Sequence, residues 1–207
     1  MTHTLHRRGS RQSLEHDYPM LAIKAVGYND EGSELKLRKF LEIARRHNPV
    51  NLGSTVANVF QKPAEEVLDG AGKVSHAVFS NKEDLLAMMK DLKEADLGMS
   101  VVVSGLVDEV DECCQRAGIQ RHTVEFSLGI WGKKELLPPD DILEVTTMCG
   151  HAMVSPRLVA SMVEEVRRGK MSAADAGKAL APQCTCGVFN PVRAGELVAA
   201  WPPRSSP

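Results

Sequence analysis

The sequence predicts an α/β or α+β fold: a small sheet layered with helices, followed by an all-helical C-terminal part. Three observations carry this. Strand-like and helix-like runs alternate between residues 73 and 146, helix-start signals crowd the chain after residue 154, and 43% of the 207 residues are hydrophobic while 25% are charged. A chain of this size and composition can bury roughly 70% of its unfolded surface, so it needs no metal or disulfide merely to fold.

The elements follow in order. The N-terminal stretch "HTLHRRGSR" is basic and reads as a solvated terminus or as an anion clamp, with Arg7, Arg8 and Arg11 around Gly9-Ser10. Residues 33–47 form an amphipathic helix, with Leu37, Phe40, Leu41 and Ala44 at helical spacing and Ser33 as a cap. Asn48-Pro49 ends it. The stretch "NPVNLGS" then reads as a turn, and "STVANVFQKPAEEVLDG" as a helical region broken at Pro63.

In the middle, "KVSHAVFS" is β-like and residues 81–98 form a helix capped by Asn81. "MSVVVSG" is a short strand, and "VDEVDECCQRAG" is a helix stopped by Gly118. "RHTVEFSLGIWG" alternates apolar and polar residues and reads as a strand; "DILEVTT" reads as another. A split βαβ arrangement is one of the small sheets this order allows.

The last third is helical. Ser155-Pro156 and Asn190-Pro191 each place a cap before a proline at the first helical position, and Ser172 with Asp175 forms a capping-box variant. The domain division expected is an α/β body over residues 1–143, a helical part over 144–201 and a disordered tail over 202–207.

Basic and acidic residues nearly balance, 25 against 27, which argues against nucleic-acid binding. No apolar run reaches the ~20 residues that cross a bilayer, and the basic N-terminus lacks the apolar stretch of a secretory signal. The expectation is a cytoplasmic protein with no membrane partner. In that compartment five cysteines read as thiols or metal ligands rather than disulfides.

The cysteines divide by position. Cys113 and Cys114 are adjacent on one helix, where neighbours diverge and cannot chelate together, so they read as structural. Cys149, Cys184 and Cys186 fall in two glycine-containing loops ahead of helix starts, a setting that favours thiolate. The first reading is a [4Fe–4S] cluster on these three cysteines with one iron open, for lyase or desulfidase chemistry on a small anionic molecule. His151 and Glu125 are then the catalytic candidates, and Arg7, Arg8 and Arg11 the substrate contacts.

The alternative is zinc bound by Cys149, His151, Cys184 and Cys186 in a regulatory or interaction module, although C-x-H with C-x-C is not the usual zinc spacing. A third reading makes Cys149 a nucleophile with a distant histidine as base, for example His3, His6, His76 or His122. A homo-oligomer is compatible with each.

Overall fold

The structure, a computed structural model, describes residues 4–201. The expected tail at 202–207 lies outside the described residues, as does His3. The fold is mixed α+β with a helical C-terminal part. In chain order the elements are α1 (Arg11–Leu14), β1 (Tyr18–Ile23), α2 (Ser33–Ala44), β2 (Asn51–Ser54), α3 (Ala64–Asp69), β3 (Val74–Phe79), α4 (Lys82–Ala95), β4 (Ser100–Val103) and α5 (Val107–Ala117). Then follow α6 (Asp140–Thr146), α7 (Pro156–Arg167), α8 (Ala173–Leu180) and α9 (Pro191–Ala200).

The four strands lie in the order β2-β3-β1-β4, and each neighbouring pair is antiparallel. β1 and β2 therefore run parallel with β3 lodged between them, and β3 and β4 run parallel with β1 between them. These are two interleaved split βαβ units, closed by α2 and α4.

On one face of the sheet Tyr18, Met20, Ala22, Ala77 and Phe79 pack with Leu37, Phe40, Leu41, Leu85 and Met88 of α2 and α4. The α5 residue Cys113 is fully buried in the same core, as its structural reading requires. The other face is covered by the C-terminal part. Alternation puts Leu21, His76 and Val78 on that side, and all are buried. Buried amides join the two parts. Asn51 Nδ2 donates to the Phe189 carbonyl at 2.8 Å, and Asn58 Nδ2 to the Ala181 and Cys184 carbonyls at 3.1 and 2.8 Å.

Several elements differ from the sequence expectation. Residues 140–146 are helical, not a strand. Pro139 precedes the first turn and Asp140 and Asp141 sit in it, where carboxylates favour the helix dipole; the β-branched side chains face the interior. "NLGS" is not a turn but β2, buried along its whole length, because pairing with β3 overrides weak local preference. The helical region expected to follow shrinks to α3.

Residues 119–131 alternate like a strand but form no regular structure. β1 is absent from the sequence expectation, and it carries Pro19 although proline is rare in a central strand. Its position explains the tolerance: Pro19 accepts the Ser104 amide at 2.9 Å just past the end of β4, so no donor is needed there.

Candidate metal centre

Cys149 lies just past the end of α6, with its amide bonded to the Thr146 carbonyl at 3.1 Å. The chain then turns sharply: the Ala152 amide returns to the Cys149 carbonyl at 3.0 Å, and Ala152 takes a φ of 55°. Cys184 ends a 3-10 turn over Ala181–Gln183, and the Gly187 amide closes back on its carbonyl at 2.9 Å. Cys186 follows one residue later, ahead of the Asn190 cap of α9.

Glycine makes the second turn possible. Gly187 has a φ of 80°, and its Cα lies directly on Gly53 of β2; a Cβ on Gly53 would overlap the Cys186 carbonyl. The turn is thus pressed backbone-to-backbone against the sheet. His76, the cross-strand partner of Gly53, is buried on this same side.

The two loops meet. Cys184 Sγ is 3.8 Å from Cys186 Sγ, and Cys186 Sγ is 3.8 Å from His151 Nδ1. Cys149 Sγ is within hydrogen-bonding reach of Cys184. The four groups form a run, Cys149–Cys184–Cys186–His151. Among the described residues no group of three or more His, Cys, Asp or Glu side chains is placed so that it could hold a metal ion as it stands.

Cys149 and Cys184 are buried among Val145, Met148, Val154, Phe189 and Ala194, while His151 is at the surface. Although it lies two residues from Cys149, His151 turns its ring to Cys186.

The thiols are not equivalent. The Cys184 thiol donates to Cys149, and against the cost of burial the Met153 and His151 amides and the His151 imidazole help lower Cys149 to about 6. Cys186 is lowered to about 7 by Cys184, with the Val188 amide and His151 assisting. Cys184, bonded to both neighbours and deeply buried, is pushed up. The middle sulfur therefore holds its proton most firmly, and the outer two are biased towards thiolate. The amides that stabilise them come from the two tight turns; Cys149 lies at the end of α6 rather than at a helix start. By contrast burial pushes Cys113 up to about 11 and raises Cys114.

The other sequence candidates lie elsewhere. Arg7 pairs with buried Asp17 at 2.7 Å and also donates to the Val188 carbonyl. Arg8 pairs with Asp140 at 2.8 Å, and Arg11 with Asp108 at 2.6 Å and Glu15 at 2.9 Å. The three arginines are thus engaged in holding the chain together, and they do not converge on an open anion site. Glu125 is exposed on the irregular segment after α5.

Sequence reasoning missed Asn58, whose amide grips the Cys184 turn, and Gly53, whose missing side chain lets the loop in. The expected turn at "NPVNLGS" drew attention to neither residue. No described helix is long and apolar enough to cross a membrane. No family model matches the chain, and neither a curated protein nor a solved structure matches it significantly.

Proposed function

We propose that Cys149, Cys184, Cys186 and His151 bind a single zinc ion, and that this centre fastens the C-terminal helices onto the sheet of a regulatory or interaction module. The observation that carries this reading is the 3.8 Å between Cys184 Sγ and Cys186 Sγ. Two thiolates about 2.3 Å from one tetrahedral zinc lie about 3.8 Å apart. A cubane cluster gives each thiolate its own iron at a separate corner, which holds the sulfurs well farther apart. The same spacing recurs between Cys186 and His151 Nδ1. Binding one ion would require the four side chains, which stand in a run, to gather around it.

The surroundings also suit a closed site. Turn amides donate to Cys149 and Cys186, the second-shell support that thiolate ligands receive. Four protein donors leave no position open for substrate, and the three candidate arginines have carboxylate partners. Zinc would replace the Cys184 proton and draw α6, the Cys184–Cys186 turn and β2 together. The iron–sulfur reading keeps the same three cysteines but makes His151 and Glu125 catalytic around an open iron.

Cobalt(II) substitution separates the two. The zinc reading predicts a tetrahedral cobalt spectrum with intense visible bands and thiolate charge transfer, altered in His151→Ala. A brown, sulfide-containing protein after anoxic treatment with ferrous iron and sulfide, unchanged by His151→Ala, would favour the cluster instead.

A further inference from the structure

Residues 119–131 and the edge strand β4 are two halves of a pairing that one chain leaves unmade. β4 ends the sheet. The Ser104 amide points inward to Pro19, so alternation turns the amides of Val101 and Val103 outward, away from β1. The Val101 and Val103 side chains extend the core face of the sheet, but that end of the core is only partly filled. A cavity of about 660 Å³ remains there, lined by Met89, Leu97, Val101, Val103, Val110 and Phe126 among others.

The segment that skirts this cavity has the sequence of a strand. Val124, Phe126 and Leu128 share one face, with Thr123, Glu125 and Ser127 on the other. A turn closes it, with the Gly129 amide on Ser127 Oγ and Trp131 Nε1 on the Leu128 carbonyl. Yet it makes no ladder with its own β4, and its apolar side chains stay in water: Val124 is 43% exposed, Phe126 67%, Leu128 87% and Trp131 83%. Scattered exposed apolar residues are ordinary; four within eight residues, beside an open strand edge, form a patch.

We infer that this face is a homodimer interface in which residues 122–128 of each copy add as a strand to β4 of the other. Both complementary parts lie on the same chain, so a twofold arrangement satisfies both at once and closes. The apolar face of the arriving strand then continues the row made by Val101 and Val103 and fills the cavity mouth. Its backbone takes up the outward amides of Val101 and Val103. From the exposed fractions and typical side-chain areas, two such arms offer roughly 1,100 Å² of apolar surface, and with an equal area on the surfaces they cover the total reaches roughly 2,000 Å², within the range of stable interfaces. This inference is independent of the zinc reading.

Sedimentation velocity on the full chain, from low micromolar concentration upward, tests it. The expected wild-type species has twice the chain mass. The double variant Phe126→Asp, Leu128→Asp, altered only at exposed positions, should sediment as a folded monomer with unchanged far-UV circular dichroism. Val101→Pro should do the same, because proline is tolerated on a strand edge whose amide faces outward. Should Val101→Pro fail to fold, the double variant decides alone.

A wild-type monomer overturns the inference. Hydrogen-exchange protection of residues 122–128 in that monomer would show the arm closing on its own β4, and absence of protection would leave the edge to some other partner. A dimer that survives Phe126→Asp, Leu128→Asp also overturns it, since the contact would then lie elsewhere.

Discussion

The C-terminal helices meet the rest of the chain through two buried clusters of opposite character. In one, Arg193 and Arg7 both approach Asp17 Oδ2, at 2.9 and 2.7 Å, with the Arg193 and Asp17 side chains fully buried. Arg193 also donates to Ser13 Oγ at 2.9 Å and to the Arg8 carbonyl, and Asn190 Nδ2 donates to Asp17 Oδ1 at 3.2 Å and the His16 carbonyl at 2.8 Å. Charge meets charge from within the chain, although Arg7 Nε is buried without a hydrogen-bond partner. In the other, three sulfurs crowd together in an apolar setting beside a single surface histidine.

Crowding sulfurs without a strong cation gains little by itself; a cation placed among them gains much. The difference teaches that one cluster is held by ion pairs among its own residues, while the other would be held by the zinc proposed above.

The most severe break of this comparison is Cys184→Ser. It should abolish stoichiometric metal binding and lower the melting temperature by roughly 10 °C or more, because the metal's binding energy is also folding energy. Metal analysis and calorimetry together check it. Arg193→Met should cost about 1.5–3 kcal/mol, because Asp17 keeps Arg7 while Ser13 and the Arg8 carbonyl lose the guanidinium, yet keep the metal content of wild type. If that variant lost metal as well, the two clusters would be one coupled unit.

Asn58→Ala sharpens the comparison from the second shell. Losing its hydrogen bonds to the Ala181 and Cys184 carbonyls should cost about 1–3 kcal/mol and weaken metal affinity roughly 10-fold, readable by competition with a chelator. Smallest of all is Cys113→Ala with Cys114→Ala, which should leave metal content unchanged and cost about 1–2 kcal/mol from the core. In metal-free protein near neutral pH, alkylation should reach the partly exposed Cys186 while sparing Cys113, and zinc should protect Cys186.

Much of this arrangement was legible in the sequence, and the failures have physical causes. The caps at Asn81, Ser172 and Asn190 each form the side-chain bond their residue type suggests. The split of the cysteines into a helical pair and a loop trio follows from helix geometry alone. What escaped was long-range. β2 gains its strand identity from β3, and α6 hides its β-branched residues because the interior wants them, not because they favour helix. The strand-like pattern of residues 121–132 meets no strand partner among the described residues. The facing of His151 towards Cys186, 35 positions along the chain, could not be seen while the segment between them had no fold.

The central claim rests most directly on the metal and acid-labile sulfide content of the full chain purified without oxygen, compared with His151→Ala. The account predicts a colourless wild-type protein with about one zinc per chain and no sulfide, and marked loss of zinc in the variant. A brown wild-type protein carrying iron and sulfide, with His151→Ala retaining both, would contradict it.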